Sequence, residues 1–385
     1  MLFMVLFLVS LIFIFYTYMG YPLILIIYSK IFNQVTQKKD VIDYFPKVSL
    51  VIAAYNEEKV IEEKINNCLE LEYPNDKLEI LIGSDGSTDR TNEIIKKYAG
   101  DLIQFYNITD RGGKTNVLNT LVPKAKGEII VFSDANTLYE VNALKEIVQP
   151  FVSSEVGGVC GNLKFINPNN NVGGKGEGVY WKYEKLLKRI ESKIHSVIGA
   201  NGGIYAIRKK LFRFIPTNTI IDDFVISMTV IKQGYRLLYE DKAIAYEDTS
   251  LSLSDEFKRK IRIGAGDYQS IKILKSLLWF EDLKVSFAFW SHRIFRWLIP
   301  FCLIILFISN IFLLDMNFFQ VMFIIKIVGY LLALLGYYLD KNGLRLGKLY
   351  IPYYFVSMNL ALFLGFIRFL TNKQSVTWDK VERND

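Results

Sequence analysis

Two blocks of apolar residues, one at each end of the 385-residue chain, constrain the fold more than any other feature of the sequence. Residues 1–32 are almost uncharged, and long apolar runs return after residue 293. Each run is long enough to cross the ~30 Å hydrocarbon core of a bilayer as a helix. The mixed, charged stretch between them, roughly 240 residues, is enough for one globular core. We therefore expect a membrane protein with one globular domain between its membrane segments.

The first run, residues 1–32, is predicted to be a transmembrane helix. A signal peptide is the alternative, but the run lacks a basic start and a small-residue cleavage site. Lys30, Lys38 and Lys39 close or follow the run, with no Lys or Arg before them. The positive-inside rule then places the N-terminus outside and the globular domain in the cytoplasm. We expect an integral protein of the inner (cell) membrane, in contact with the lipid bilayer.

Residues 293–371 are predicted to contain three more transmembrane helices, namely Ile294 to Leu314, Phe318 to Leu339 and Tyr350 to Leu370. The loop Asp340 to Lys348 is basic, so we place it in the cytoplasm. Four crossings then leave the C-terminal tail, residues 372–385, outside.

The segment before the second span, residues 268–292, is predicted to be an amphipathic helix lying on the membrane surface. Its leucines and isoleucines share one helical face, whereas Lys272, Lys275 and Lys284 occupy other positions. Trp279 and Trp290 suit a membrane interface. A helix buried in the core of the domain is the alternative.

Charge and cysteine content narrow the functional classes. The formal net charge is +7, but the basic residues are dispersed and often neighbour acids, so we expect a solvated face near anionic lipid and no nucleic-acid partner. Cys68, Cys160 and Cys302 lie far apart, which argues against disulfides and structural zinc.

The globular domain, residues 33–267, alternates strand and helix patterns. Strands are predicted at Val48 to Ala54, Leu78 to Ile82 and Ile129 to Phe132, and helices at Glu57 to Leu71 and Thr88 to Tyr98. This order predicts an α/β domain with a mostly parallel sheet. The glycine-rich stretch from Asn171 to Gly178 is predicted to be a mobile loop.

Polar residues follow each predicted strand, and in such sheets ligands bind beyond the carboxyl ends of the strands. The sets are Tyr55 to Glu57, Ser84 to Asp89, and Asp134 to Asn136. Each could be an ordinary turn or helix cap. Asp134 and Asn136 also offer two oxygen ligands for Mg²⁺ or Mn²⁺ held on a diphosphate.

Several motifs in order resemble one family. The stretch VSLVIAAYNEEKVIEEKINNCLELEYPNDKLEILIGSDGSTDRTNEI resembles the opening of glycosyltransferase family 2, and RGGK, FSDANT, ANGGIYAIRKKLF and IIDDFVISMTVIKQGYR continue the resemblance. SHRIFRWLIPF and VTWDKVER resemble membrane polysaccharide synthases, such as those for cellulose, chitin, hyaluronan and poly-N-acetylglucosamine. The resemblance implies a Rossmann-like GT-A fold and an inverting, metal-dependent transfer from a nucleotide sugar, of the UDP-sugar type, onto a β-linked exopolysaccharide.

The resemblance also implies roles for single residues. Uridine would be held by Tyr55, Glu57 and Asp85, with Lys114 near the donor. Asp134 and Asn136 would hold Mg²⁺ or Mn²⁺, although Asn136 replaces the second Asp of the family's Asp-x-Asp motif.

A second set of acids lies at Asp222 and Asp223, where these synthases carry Thr-Glu-Asp. The resemblance makes Asp223 the general base that takes the proton of the acceptor hydroxyl. The alternative is that the two acids favour a helix N-terminus without chemistry.

One motif departs from the resemblance. The run Arg259 to Ile263 stands where processive synthases carry Gln-x-x-Arg-Trp. Arg262 would keep the contact with the diphosphate, but Ile263 cannot stack on an acceptor sugar as Trp does. A basic stripe facing anionic lipid is the alternative. We therefore keep three functions open: extension of a polysaccharide, transfer of one sugar to a polyprenyl-linked or glycolipid acceptor, and a non-catalytic membrane scaffold or transporter.

Overall fold

The computed structural model describes residues 1–31, 44–166, 172–248, 253–279, 282–344 and 346–375. In this part of the chain eight strands form one sheet of order β3-β2-β1-β4-β7-β6-β8-β5. The strands are β1 (Val48–Ala54), β2 (Leu78–Asp85), β3 (Ile103–Ile108), β4 (Ile129–Asp134), β5 (Leu138–Tyr139), β6 (Val156–Ile166), β7 (Tyr205–Arg208) and β8 (Arg236–Asp248).

One set of helices covers the sheet, and another set forms the apolar segments. They are α1 (Leu2–Phe15), α2 (Tyr21–Ile31), α3 (Ile61–Leu69), α4 (Thr91–Tyr98), α5 (Lys114–Lys124), α6 (Ala143–Val148), α7 (Val172–Ile194), α8 (Asp222–Lys232), α9 (Leu253–Ile273), α10 (Leu283–Phe289), α11 (Phe295–Ile311), α12 (Asn317–Lys341) and α13 (Tyr350–Leu370). Helix α7 begins at Val172, so the loop predicted for the glycine-rich stretch is wrong from that residue onward; Asn171 lies outside the described residues.

The sheet is parallel around its first strands and mixed elsewhere. Strand β1 pairs in parallel with β2 and β4, and β2 pairs in parallel with β3, as the alternation of strands and helices predicts. Strand β7 pairs antiparallel with both β4 and β6, which the sequence pattern does not reveal.

Strand β1 is buried along its whole length because helices cover both faces of the sheet. Successive side chains of a strand point to opposite faces. Val51 accordingly packs in the core with Val117 of α5, whereas Leu50 packs in a separate core with Ile61 and Ile65 of α3. A continuous apolar run is the sequence signature of such a strand.

Four helical segments are long and apolar enough to cross a membrane, as the sequence predicts: Leu2–Ile31, Leu283–Ile311, Asn317–Lys341 and Gly347–Leu370. Helices α1 and α2 form the first segment, and α10 and α11 form the second. The chain is therefore a membrane protein by the length and composition of its helices.

The single surface helix predicted for residues 268–292 is wrong. Helix α9 ends at Ile273, a short turn covers Lys275–Leu278, and α10 starts after Asp282, whose side chain caps its first backbone N–H groups. Leu274 is fully buried in the core of the domain, and Ile271 packs against that core. The apolar face thus packs against protein, which is the alternative interpretation of the pattern.

Helix α13 contacts the first membrane segment near its start and the globular domain near its end. Near its start, Phe355 packs on Tyr18 (ring centroids 5.8 Å), and the hydroxyl of Tyr183 in α7 donates a hydrogen bond to the Tyr18 carbonyl. Near its end, Phe366 packs on Tyr268 of α9 (5.0 Å). A Cβ atom on Gly365 would come within 2.8 Å of the α9 backbone, so the two helices touch closely.

This placement favours another side for the end of α13 than the one that the sequence predicts. Arg368, Lys373 and Ser375 line the same cleft as Asp134, so we expect them on the same side of a membrane as the globular domain. Hydropathy records that α13 is long and apolar, but not where it packs. Its position is set by packing against α9. We expect three crossings, with α13 along the membrane boundary.

Labelling of single introduced cysteines tests this topology. Ser375→Cys and Ser154→Cys, the latter on the surface of the globular domain, should react with a membrane-impermeant maleimide in vesicles of the same orientation. Asp315→Cys, between α11 and α12, should react only in vesicles of the opposite orientation. Labelling of Ser375→Cys together with Asp315→Cys would contradict the placement of α13.

Candidate active site

A cleft of about 1170 Å³ opens at the carboxyl ends of the parallel strands. Most of the residues that the sequence singles out line it: Glu57, Lys114, Asp134, Asn136, Asp222, Asp223 and Arg262. Strand register explains part of this convergence, because Asp134 at the end of β4 pairs with Ala53 at the end of β1. Tyr55 and Asp85 are not among the described residues that line the cleft.

The ammonium group of Lys114 is the central charge of the cleft. Its Nζ atom lies 2.7 Å from Oδ1 of Asp134 and 3.3 Å from Oδ2 of Asp222. Burial alone would lower the pKa of Lys114, but the charges of Asp134, Asp222 and Asp223 raise it well above its ordinary value. Lys114 therefore stays charged and holds the carboxylates together.

The carboxylate of Asp223 is placed by the first turn of α8. Its Oδ1 atom accepts a hydrogen bond from the backbone N–H of Phe224 at 2.8 Å. Burial and the neighbouring charge of Asp222 raise the pKa of Asp223 to about 6, against the lowering effect of Lys114. A carboxylate with a pKa near neutrality is suited to accept a proton.

The backbone at Gly202 lies beside two carboxylates of the cleft. A Cβ atom at this residue would lie 3.3 Å from Oδ2 of Asp134 and 3.3 Å from Oδ2 of Asp223. The second oxygens of both side chains thus face one small space beside the backbone. A side chain at residue 202 would fill it.

Asp85 organises the loop that delivers Lys114. Its two carboxylate oxygens accept hydrogen bonds from the backbone N–H groups of Gly112 (2.8 Å) and Gly113 (2.7 Å), and its side chain is buried. Gly113 has a φ of 84°, a conformation that favours glycine. The guanidinium of Arg111 in the same loop lies 3.8 Å from the ring centroid of Tyr55.

The residues at the end of β4 fit a divalent cation. Asp134 and Asn136 offer a carboxylate and an amide oxygen, and both side chains line the cleft. Lys114 contacts Oδ1 of Asp134, and Oδ2 faces the space beside Gly202. Mg²⁺ commonly takes one or two protein ligands and completes its shell with phosphate oxygens and water, so a two-ligand site is sufficient. Among the described residues no three His, Cys, Asp or Glu side chains cluster as a metal site.

Helix α9 supplies the opposite wall. Burial lowers the pKa of Arg262, although Asp222 and Asp223 oppose this change, and its Nη2 donates a hydrogen bond to the Ile220 carbonyl at 3.3 Å. Asp267, one turn further along, also lines the cleft, and burial raises its pKa to about 7. The sequence gives no signal for Asp267 because its motif is not distinctive.

Lys64 holds the end of β4 just before Asp134, and the sequence motifs do not assign it a role. Its buried ammonium donates a hydrogen bond to Oγ of Ser133 at 2.8 Å and lies 4.2 Å from the centroid of the Tyr139 ring. A signal was present, because Lys64 falls on the buried face of α3 with Ile61 and Ile65. A lysine at a core position of a helix indicates a buried partner.

A buried ionic cluster joins the cleft to the membrane helices. Glu184 of α7 lines the cleft and contacts Arg296 and His292 (3.4 Å to Nε2), while Glu191 contacts His292 Nδ1 at 2.6 Å. Burial alone would raise the pKa of Glu184, but the charge of Arg296 and the neighbouring His292 hold it well below its usual range. The hydroxyl of Tyr21 in α2 donates to Glu191 at 2.8 Å. The first two membrane segments are thus fastened to α7.

Comparisons with known proteins identify the type of fold and the family of the globular domain. A mannosyltransferase from Pyrobaculum calidifontis, solved in complex with GDP-Man and Mn²⁺, superposes with a TM-score of 0.73 at 22% identity, covering 96% of this chain and 99% of that one. The fold is therefore of the GT-A type with membrane helices. Residues 49–215 match the sequence profile of Glycosyl transferase family 2. The chain carries a glycosyltransferase family 2 domain.

Curated relatives are polysaccharide synthases by name. A poly-β-1,6-N-acetyl-D-glucosamine synthase of Staphylococcus aureus (strain COL) is 27% identical over 241 residues, which are 60% of this chain and 58% of the relative. The enzyme of the same name from Staphylococcus epidermidis is 26% identical over 247 residues, 63% and 59% of the two chains. The matched region spans less than two thirds of either relative.

Filling the space beside Gly202 tests the cleft as an active site. Gly202→Ala should reduce the release of nucleoside diphosphate from nucleotide sugars by at least about ten-fold, because the added methyl group enters the space between the two carboxylates. Gly100→Ala is the matched control, since a Cβ atom there meets nothing within 4 Å. Equal rates for both variants would contradict the assignment of the site, provided that their melting temperatures agree.

Proposed function

We propose that the protein is an inverting, metal-dependent glycosyltransferase that extends a β-linked polysaccharide at the cytoplasmic face of the cell membrane. The observation that carries the proposal is the meeting of the Asp134 and Asp223 carboxylates beside Gly202, with the Lys114 ammonium against Asp134. One acid comes from the end of β4 and the other from the start of α8. Asp223 would be the base, while Lys114 and a cation held on Asp134 would offset the negative charge of the leaving diphosphate beside it.

The donor in this proposal is a nucleotide sugar of the UDP type. The names of the relatives make UDP-N-acetylglucosamine the first donor to test. We assign the uridine to the region of Tyr55, Glu57 and Asp85. Because both oxygens of Asp85 are used by the Gly112 and Gly113 backbone, we expect this residue to act chiefly by holding the loop.

In this proposal, a bound cation and the basic groups of the cleft bind the diphosphate of the donor. Asp134 and Asn136 would hold Mg²⁺ or Mn²⁺, which neutralises charge on the diphosphate when it is bound. Lys114 and Arg262 add positive charge from two walls of the same cleft. Charge that is fixed before the reaction stabilises a leaving group without reorganisation of the site.

The acceptor side falls to Asp223. As the acceptor oxygen bonds to the anomeric carbon, the bond from that carbon to the diphosphate oxygen breaks. The hydroxyl proton passes to the Asp223 carboxylate. Attack from the face opposite the leaving group inverts the anomeric centre and gives a β-linkage from an α-linked donor. Asp222 assists by its charge, which raises the pKa of Asp223 and makes it a stronger base.

Transfer of one sugar to a lipid-linked acceptor is the second candidate function. The cleft extends to Arg368 and Lys373 at the end of α13, a helix that we expect to lie along the membrane boundary. A polyprenyl phosphate would bring its negative charge to this region. Ile263 in place of an aromatic residue favours the same alternative.

The pH dependence of transfer tests the role of Asp223. With purified protein in lipid, radiolabelled UDP-sugars and Mn²⁺, the rate should rise with pH through about 6 and then level, because Asp223 must be deprotonated to accept the proton. Asp223→Asn should lower the plateau rate by at least about 100-fold and remove this rise. Sizing of the product separates long polymer from one-sugar lipid.

Two measurements guard against indirect effects. Asp223→Asn should bind UDP with the affinity of the wild type, and Asp76→Asn, at an exposed residue far from the cleft lining, should keep the wild-type rate. Full transfer activity in Asp223→Asn would refute the base. An absence of transfer from every UDP-sugar by wild-type protein that binds UDP would refute the proposed function.

A further inference from the structure

The cleft has an aromatic wall that no motif predicts. Phe165 of β6 and Trp181 of α7 both line it, and their ring centroids lie 4.9 Å apart at an interplanar angle of 36°. Ile263 lines the same cleft from α9. The aromatic surface that is missing at Ile263 is therefore present on another wall.

Strand β6 fixes the distance of Phe165 from the reaction point. The Cδ1 atom of Leu163 lies 3.0 Å from the position that a Cβ atom on Gly203 would take. Phe165 is two residues further along the strand and points to the same face, about 7 Å away. Gly203 follows Gly202, the residue beside the Asp134 and Asp223 carboxylates.

Helix α7 gives a second, independent distance. The buried ammonium of Lys188 donates a hydrogen bond to Oδ1 of Asn201, the residue before Gly202. Trp181 lies seven positions earlier, on the same face of the helix, which corresponds to about 10 Å. The distances along β6 and along α7 both place the aromatic pair about as far from the Asp134 and Asp223 carboxylates as the length of a disaccharide.

The pair lies on the acceptor side of the sheet. The region assigned to uridine is at the ends of β1 and β2, whereas β6 is separated from β1 by β4 and β7. At about 4.8 Å between neighbouring strands, this separation exceeds the reach of a nucleobase held at β1. Around the pair, the Arg259 guanidinium lies 5.9 Å from the Phe165 ring, and Glu247 and Asp255 also line the cleft. Polar groups around an aromatic face suit a ligand that is itself apolar on its faces and polar at its edges.

We propose that Phe165 and Trp181 form a stacking platform for a sugar ring of the acceptor glycan, one or more units behind the unit that receives the new sugar. This inference rests on the proposed function and specifies its acceptor as a saccharide longer than one unit. The C–H faces of a pyranose ring pack on the aromatic faces, while its hydroxyl groups meet the charged residues around them.

Direct binding of saccharides tests the platform without requiring turnover. The probes are two tetrasaccharides, of β-1,6-linked N-acetylglucosamine and of β-1,4-linked glucose, titrated calorimetrically into the full chain in lipid nanodiscs. Trp181→Leu keeps an apolar side chain but removes the ring, and should weaken tetrasaccharide binding about ten-fold. Trp181→Phe should restore most of the affinity. Phe165→Leu should weaken binding in the same way as Trp181→Leu. Its matched control is Phe214→Leu, at a residue that is 72% exposed.

The controls separate stacking from folding and from the proposed function. UDP affinity and melting temperature should be the same in the wild type and in all four variants. Equal tetrasaccharide affinity in the wild type and Trp181→Leu, or no tetrasaccharide binding by the wild type, would overturn the platform. Wild-type protein that binds a tetrasaccharide but transfers no sugar would refute the proposed function alone, and the platform would still be decided by the binding of Trp181→Leu.

Discussion

The positive charge of one ammonium group offsets the negative charge of three carboxylates at the carboxyl ends of the parallel strands. The geometry of the cleft depends on this interaction. Asp134, Asp222 and Asp223 would repel one another without Lys114, because like charges at short range disfavour ionisation. The fold delivers Lys114 to this point by several means. Asp85 holds the preceding loop through its backbone N–H groups, and strand register places Asp134 at the same edge. The same crowding of charge gives Asp223 a pKa suited to proton transfer.

The membrane helices belong to the same unit as the cleft. The buried carboxylates of Glu184 and Glu191 hold residues of the second membrane segment, and Arg293 of that segment donates hydrogen bonds to the Ile198 carbonyl, just before the segment that carries Gly202. Buried ion pairs add little net stability but are costly to break, so they fix geometry. Helix α13 closes the arrangement by returning beside α9. A membrane-bound acceptor would therefore meet a cleft whose distance from the bilayer is set by rigid contacts.

The sequence predicts the parts of the site whose chemistry is local. Strand β1 is a continuous apolar run, and the acids that end β2 and β4 stand in recognisable motifs, so their convergence could be inferred from the rules of parallel sheets. The walls of the cleft could not be inferred. Trp181 lies on a helix far along the chain from these motifs, and its position is set by the packing of α7 on the sheet and on Tyr21. The packing of α13 on α9 could not be inferred either, because the close helix contact at Gly365 leaves no mark in the hydropathy of the sequence.

The anomeric configuration of the first product tests the central claim most directly. Proton NMR of the reaction mixture, followed from the start of turnover with an α-linked UDP-sugar donor, distinguishes the two configurations by the coupling constant of the new anomeric proton. Direct displacement with Asp223 as base predicts a β-linkage from the first turnover. An α-linked product would contradict the account, because retention requires a different arrangement of groups around the anomeric carbon from one base on the acceptor side.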